Sequence, residues 1–209
     1  MHPNRAFRKS SDARNIRFAR EQGFGLLCVN SDDAPLISHV PFLLSEDGSQ
    51  VELHLVKTNP MVRLLSAPVR ARLAVQGPYS YVSPDWYGMI DQVPTWNYVA
   101  VHLQGALELR PQEEMFDLLR RQSELFETKL APKRPWTSNK MTDGIMEAMM
   151  RQILPCRMVV EKIDGTWKLN QNKPDDVRLR AADAVELVGM GHGVDVLAAL
   201  MRNPEEERQ

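Results

Sequence analysis

The sequence has few cysteines, no long apolar run and almost no net charge, and each absence argues against a class of protein. Only Cys28 and Cys156 occur in 209 residues, and neither belongs to a CxxC pair. A disulfide-stapled scaffold and a zinc finger are therefore not expected. No apolar stretch approaches the roughly 20 residues that a membrane-spanning helix needs. The formal net charge of −1 gives no global field that would attract nucleic acid or an anionic membrane.

Signals for targeting and for common catalytic chemistry are also missing. The first 22 residues are basic but lack the apolar segment of a secretory signal, so we expect a cytoplasmic protein. Ser80 and Ser83 lie in no GxSxG motif, and no spacing suggests a cysteine–histidine pair. The sequence alone thus identifies neither a catalytic residue nor a substrate, and it leaves open whether the protein is an enzyme.

Three histidines, His39, His54 and His102, lie in the middle of strand-like stretches. If those strands are neighbours, the imidazoles converge on one site for a metal, a haem or an anion. The alternative is three separate histidines, each hydrogen-bonded on a half-buried strand. Because the sequence has no HExxH motif and no closely spaced histidine pair, we predict no metal site.

The 43% hydrophobic and 25% charged residues are typical of a globular domain. Short strand-like stretches separated by turns fill the first half, and helical periodicity begins after Pro111, which together predict an α+β fold built on a small, mostly antiparallel β-barrel. We expect one domain over residues 1–209, with the barrel core over about 15–169 and a C-terminal helical extension over about 170–209. The predicted strands cover 24–29, 36–44, 51–56, 70–76, 95–109 and 155–163. The predicted helices cover 15–22, 60–66 (a short one) and 145–153, and others begin after Pro111, at about Pro174 and near the C-terminus. A proline-punctuated linker is predicted over 131–136. Gly77-Pro78 and Asp164-Gly165 are predicted to end strands, and GMGHG (189–193) to connect two helices flexibly.

Aromatic residues are concentrated in one short segment. All four tyrosines and two of the four tryptophans lie within residues 79–98. Tyrosine and tryptophan combine a flat apolar face with one hydrogen-bonding atom, which suits a planar ligand or an interface. The alternative is an aromatic-rich hairpin packed on a sheet edge.

The segment from His54 to Pro60 leaves a predicted strand, presents Lys57, Thr58 and Asn59, and enters a short helix. Helix N-terminal N–H groups beside a lysine form a phosphate site. The alternative is a capped helix with a solvated lysine. A phosphate site and a flat aromatic surface on one small barrel suit flavin mononucleotide (FMN) better than a dinucleotide.

Five segments, taken in order, resemble one known family. They are HVPFLL (39–44), the segment 54–60, GPYSYVSP (77–84), VPTWNYVAVH (93–102) and KLNQN (168–172). Together they resemble PaiB-type proteins, described as FMN-binding negative transcriptional regulators, over nearly the whole chain. The resemblance implies a split β-barrel of the FMN-binding kind, and a homodimer with the flavin cleft at the subunit interface.

The resemblance also implies residue roles by position. The implied FMN-binding residues are Ser38, His39, Val40, His54, Lys57, Thr58, Asn59, Thr95, Trp96, Asn97, Lys168 and Gln171. The strand at Ser38–Val40 would run beside the isoalloxazine, and Lys57–Asn59 would meet ribityl or phosphate oxygens. Relatives commonly have small residues where this chain has Leu53 and Val56, which predicts a narrower cleft.

The resemblance favours a flavin-binding dimer with a regulatory or redox role, and an FMN-dependent oxidoreductase if the protein is an enzyme. One alternative is a DNA-binding repressor, for which the arginines between Arg5 and Arg20 form the most basic segment. Another is a haem-binding split barrel that uses the histidines. No membrane association is expected.

Overall fold

The computed structural model describes residues 1–204, which form one seven-stranded sheet with flanking helices. The strands are β1 (Phe24–Val29), β2 (Leu36–Leu44), β3 (Gln50–Val56), β4 (Val69–Val82), β5 (Thr95–Leu109), β6 (Ile153–Lys168) and β7 (Gly191–His192). The helices are α1 (Asp12–Gln22), α2 (Met115–Thr128), α3 (Ile145–Met150), α4 (Asp175–Val188) and α5 (Val194–Arg202). Short 3₁₀ turns occupy Arg5–Phe7, Pro60–Leu64, Pro84–Tyr87, Gln112–Glu114 and Ser138–Lys140.

Six of the strands close an antiparallel barrel. The order in the sheet is β1-β2-β3-β6-β5-β4-β7, and β1 also pairs with β4, so that β7 is an additional strand bonded to β4. The predicted α+β barrel is therefore confirmed. Its strands follow the period-2 pattern of the sequence: along β5, Val99, Val101, Leu103 and Leu107 are all fully buried, and the alternate positions are half-exposed.

The described chain divides into two compact units. Unit 1 comprises Met1–Phe18, Val75–His102 and the chain from Ile163 onward, and unit 2 comprises Ala19–Ala74 and Leu103–Lys162. The long strands β4, β5 and β6 each contribute residues to both units. The prediction of one domain with a helical extension stays a prediction.

Each unit has its own buried apolar residues. Those of unit 2 include Leu27, Phe42, Val51, Leu53, Leu73 and Met158, and those of unit 1 include Val99, Leu169, Val185, Leu197 and Met201. Burying one such side chain contributes about 1.5–3 kcal/mol. In unit 1 much of this burial comes from helices α4 and α5, which pack on each other.

Two strands run through the breaks predicted for them. β4 continues past Gly77-Pro78 and β6 past Asp164-Gly165. A side chain at position 165 would lie 2.1 Å from the Asn15 side-chain oxygen, so that glycine serves close packing rather than a turn. Gly77 and Pro78 are both buried, so the alternation of β4 shifts by one residue there, and the proline lies at an irregularity of the strand, where prolines are tolerated.

Other boundaries also differ from the predicted ones. The GMGHG segment is not a flexible connection, because Gly191 and His192 form β7 and pair with Ser80 and Tyr79. Helix α1 begins at Asp12, three residues earlier than predicted, and the Ser11 hydroxyl accepts a bond from the Arg14 N–H. The predicted helix over 145–153 ends at Met150, where the chain turns into β6.

Candidate functional site

Strands β2 and β3 are paired over only part of their length. The β2–β3 register joins Phe42–Leu44 to Val51–Leu53, which we call the closed end. Beyond it, Leu36–Pro41 of β2 pairs with β1, while β3 continues to Val56 and the chain to Asn59. We call the region made by Leu36–Pro41 and His54–Asn59 the open end. The barrel is thus split at this point of unit 2.

Seven of the predicted FMN-binding residues lie at the open end. Ser38, His39 and Val40 are on β2, and His54, Lys57, Thr58 and Asn59 are on β3 or directly after it. The family resemblance therefore selects residues that the fold brings to one place.

The β2 side of the open end is exposed on both faces. None of Leu36–His39 is buried, and Ile37 is 58% exposed. The His39 ring stacks on the half-exposed Phe24 ring of β1, with centroids 6.4 Å apart. Val40, by contrast, is buried, so only its backbone is available to a ligand. Adjacent exposed apolar and aromatic residues mark a surface that a ligand or a partner covers.

Asn59 ties the two sides of the open end together. Its Nδ2 donates to Ser38 Oγ at 2.8 Å, and its Oδ1 accepts from the Met61 N–H at 3.0 Å. The predicted short helix at Pro60 is a five-residue 3₁₀ turn that Asn59 itself caps. This geometry favours a capped turn over a helix-terminus phosphate site. The exposed polar groups that remain on this side are those of Lys57 and Thr58.

His54 and Leu53 differ from the expectations placed on them. Burial lowers the pKa of His54, which a hydrogen bond with Gln122 partly opposes, so the imidazole is neutral at pH 7. Leu53 is fully buried against the closed end and forms no wall of the cleft, so the prediction that it narrows the cleft is wrong. Val56, which is 51% exposed, is the bulky residue at the opening.

The remaining predicted residues lie in unit 1, at the start of β5 and the end of β6. Lys168 Nζ donates to Thr95 Oγ1, and the same nitrogen lies 5.8 Å from the Phe7 ring centre. Burial lowers the pKa of Lys168. This pair therefore provides a partly desolvated cation beside a hydroxyl, a combination suited to a polar or anionic ligand group.

Gln171 and Asn97 are occupied by contacts of the fold. Gln171 Nε2 donates to the Trp167 carbonyl and its Oε1 accepts from the Leu169 N–H, which braces the turn after β6. Asn97 is fully buried, and its Nδ2 donates to the Met201 sulfur at 3.4 Å. Both side chains therefore stabilise the fold through these contacts, a role that the sequence pattern did not reveal.

The aromatic run separates into a surface cluster and a core residue. Trp96, which is 44% exposed, contacts the rings of Tyr79 and Tyr81 at centroid distances of 6.1 and 5.9 Å, and His192 of β7 extends the cluster. Tyr87 is buried instead, with Lys173 Nζ 4.1 Å above its ring. Sequence reasoning missed His192 because the segment around it resembled a loop.

The described residues offer no ready metal site. Within residues 1–204, no group of three or more histidine, cysteine, aspartate or glutamate side chains is placed to hold a metal ion. His39 and His54 are at the open end, whereas His102 belongs to the part of β5 in unit 1. The same range contains no helix that is long and apolar enough to cross a membrane.

Comparison with known proteins gives consistent results for sequence and for fold. The chain is 29% identical over 168 residues to the protease synthase and sporulation protein PAI 2 of Bacillus subtilis, covering 79% of this chain and 80% of that protein. The FAD and haem binding protein of Mycobacterium smegmatis matches with a TM-score of 0.56 and 15% identity, over 88% of this chain and 82% of that one. The flavocytochrome Anf3 of Azotobacter vinelandii matches with a TM-score of 0.55 and 9% identity, over 80% and 72%. The two structures support the fold alone.

The family is established by the sequence match. Residues 1–162 match the family model described as "Putative FMN-binding domain". That span contains the whole of both sides of the open end. The chain therefore belongs to this FMN-binding family of split-barrel proteins, to which the PaiB resemblance had pointed, and FMN is the cofactor of the family.

Proposed function

We propose that the protein holds FMN at the open end of β2 and β3 and acts as a cytoplasmic homodimer with a regulatory or redox role. The single observation that supports this best is the separation of the two strands where seven predicted FMN-binding residues lie. A separated pair of strands offers both side chains and backbone groups to one ligand.

The residues of the open end fit the two parts of an FMN molecule. The β2–β3 register stops at Phe42, so the β3-facing backbone edge of Leu36–Val40 lies outside it and suits the polar edge of an isoalloxazine ring. The half-exposed side chains of Phe24, Ile37 and Val56 provide apolar surface for the ring system. Lys57 and Thr58 are the exposed groups suited to a phosphate. Thr95, Trp96 and Lys168 remain predicted contacts from the family resemblance.

Bound FMN would supply one- and two-electron redox chemistry, and the chain would supply binding, orientation and a defined electrostatic environment. The neutral imidazole of His54 places no charge at the opening at pH 7. Lys57 would hold the phosphate by charge, and the Asn59–Ser38 bond would fix the spacing of the two sides. If the protein is an enzyme, it is an FMN-dependent oxidoreductase by this reasoning.

A homodimer is supported by the exposed apolar residues of unit 1. Ile90 is 85% exposed, Val93 73% and Leu187 83%. Exposed large apolar side chains are a feature of interfaces, and a two-fold dimer is the commonest way to cover them. The cytoplasmic location is supported by Cys28 and Cys156, which are both unpaired thiols.

Direct DNA binding receives little support from the arginine-rich segment. Arg8 pairs with Asp164, Arg20 with Glu46, and the buried Arg14 donates to the Pro204 carbonyl. Three of the five arginines in this segment thus have partners within the fold, which leaves fewer of them available to neutralise phosphates. We therefore favour a flavin-linked role over a DNA-binding one.

The proposal is tested by titrating the purified protein with FMN and following the flavin absorbance and fluorescence. We expect saturable binding, and a Lys57→Ala variant should bind about 10–100-fold more weakly, because a hydrogen bond to a charged group contributes about 1.5–3 kcal/mol. Lys162→Ala is the matched control, since Lys162 is another exposed lysine of unit 2. Sedimentation of the same samples gives the oligomeric state.

Two results would contradict the proposal. One is the absence of any spectral change at FMN concentrations up to about 1 mM, which corresponds to about 4 kcal/mol of binding energy. The other is an equal loss of affinity in the Lys57→Ala and Lys162→Ala variants. A monomer that binds FMN normally would remove the dimer and leave the binding site in place.

A further inference from the structure

A second site lies in unit 2, formed by residues that take no part in the open end. A cavity of about 490 Å³ is lined by helix α2 on one side and by the chain segment 135–139 and Met146 of α3 on the other. Its volume falls within the range of sites for small molecules, about 300–1,000 Å³. None of its lining residues is among the predicted FMN-binding residues.

Helix α2 provides one wall because it carries two apolar faces. Met115 and Leu118 are buried, and Gln122 of the same face donates to the Pro41 carbonyl. Phe116 and Leu119 belong to the other face, and Phe116 is 49% exposed. A helix with a second apolar face that the fold leaves open presents that face to a ligand or a partner.

The opposite wall is Trp136, and α2 holds it in place. The backbone N–H of Trp136 donates to Glu127 Oε2 at 2.7 Å, and Lys133 Nζ pairs with the same carboxylate. Glu127 thus ties a proline-rich segment, which the sequence suggested was a plain linker, to the last turn of α2. Trp136 stays 36% exposed and lines the cavity with Phe116. Two aromatic walls suit a flat ring.

The rim of the cavity is polar but carries no unbalanced charge. Ser123, Thr128, Ser138 and Asn139 line it with hydroxyl and amide groups. The one cation in the lining, Arg120, is paired with Glu124 at 3.3 Å and with Asp117 at 2.8 Å. A site of this kind does not select an anion such as a phosphate. It suits an uncharged molecule with one or two hydrogen-bonding atoms.

We propose that this cavity is a binding site for a small, neutral aromatic molecule held between Phe116 and Trp136. The site is distinct in residues and in ligand chemistry from the FMN site. It does not depend on the proposed function, because a protein that failed to bind FMN would still have both walls and the same rim.

The test uses the neutral fluorescent probe N-phenyl-1-naphthylamine, whose emission rises in apolar sites. The full-length protein should bind it saturably, with energy transfer from tryptophan that is reduced in a Trp136→Phe variant. Ser123→Trp, which fills the cavity from α2, should abolish binding. Phe116→Ala should weaken binding about tenfold, as expected for loss of an aromatic contact. Circular dichroism and thermal melting of each variant verify that it remains folded.

Matched controls separate this site from general hydrophobic binding. Leu179→Ala shortens a 40% exposed side chain of α4 in unit 1 and should leave probe affinity unchanged. Glu127→Ala should weaken binding several-fold by releasing Trp136, whereas Glu113→Ala, at an exposed position outside the cavity lining, should not.

Four outcomes would overturn the proposal. They are no saturable binding of the probe, a Ser123→Trp variant that binds it as the wild type does, competition by FMN at stoichiometric amounts, and a change of oligomeric state on probe binding. The third would make the cavity part of the flavin site, and the fourth would assign it to contacts between copies of the chain.

Discussion

The closed and open ends of the β2–β3 pair differ although the same two strands form both. At the closed end, Phe42 and Leu53 are fully buried and face each other in register. At the open end, Ile37 is 58% exposed and Val56 51%, and a side-chain bond between Ser38 and Asn59 joins the two sides. The β2–β3 pairing is therefore part of the barrel core at one end, whereas at the other end the register stops and a side-chain bond links the two sides.

The two cysteines should show the largest difference, because each lies beside one end. Cys156 of β6 is paired with Leu53 at the closed end, and burial raises the pKa of its thiol to about 12. At pH 8 about one thiol in 10⁴ is then ionised, compared with about a quarter for an ordinary cysteine. Cys28 of β1 faces Ile37 at the open end and is only partly buried.

We expect iodoacetamide at pH 8 to label Cys28 in the native protein and Cys156 only after unfolding, with rates that differ about a thousandfold or more. Peptide mass spectrometry of the labelled protein assigns each site, and Cys28→Ser and Cys156→Ser variants are the controls. Equal labelling of the two thiols in native buffer would show that the closed end opens readily.

Truncating one side chain at each end should give the next largest contrast. Leu53→Ala should lower the free energy of unfolding by about 2–5 kcal/mol, because it leaves a cavity in the core. Ile37→Ala should change the same free energy by no more than about 0.5 kcal/mol. Urea denaturation followed by circular dichroism measures both values. Similar losses in the two variants would mean that the open end is packed as tightly as the closed one.

The bond across the open end should have a moderate effect on stability. Asn59→Ala removes both the cap of the 3₁₀ turn and the bond to Ser38, and should cost about 1–2 kcal/mol. Ser38→Ala keeps the cap and should cost about 1 kcal/mol or less. The double variant completes a thermodynamic cycle, for which we expect a coupling energy of about 0.5–1.5 kcal/mol. A coupling energy of zero would show that the two side chains do not hold the sides together.

The sequence predicts the bounds of the strands at both ends, but it does not predict which strands pair with each other. Turn residues on either side predicted a strand over 36–44, and the alternation of apolar residues predicted one over 95–109; these are the bounds of β2 and β5 in the structure. Where β2 leaves β3 depends on which strand each residue pairs with, which local pattern does not encode. Local sequence predicts a turn at Asp164-Gly165. The structure shows instead that Gly165 leaves room for the side chain of Asn15, a residue 150 positions away in the chain.

For the candidate site, too, the sequence pointed to residues but did not show the contacts that each of them makes. The family resemblance placed seven residues at the open end, whereas residue type alone did not show that Gln171 braces its own turn or that Asn97 is fully buried. An amide side chain is equally suited to a ligand and to a backbone partner, so its role depends on what the fold places within reach. The second aromatic wall at Trp136 was missed for the same reason, because its position depends on Glu127.

The hairpin turn that begins the closed end should give the smallest effect, and a pH-dependent one. Hydrogen bonds from Ser45 and Ser49 lower the pKa of Asp47 to about 2. Because the folded-state pKa is below the unfolded value near 4, the carboxylate stabilises the fold above about pH 4, and this contribution is lost as the pH falls towards 2. Asp47→Asn should therefore lower Tm by roughly 1–2 °C at pH 7 and leave it unchanged near pH 2. Differential scanning calorimetry over this pH range gives both values, with Asp33→Asn in the neighbouring turn as the control. A Tm difference that persisted at pH 2 would mean that the shape of the side chain, and not its charge, fixes the turn from which the closed end is built.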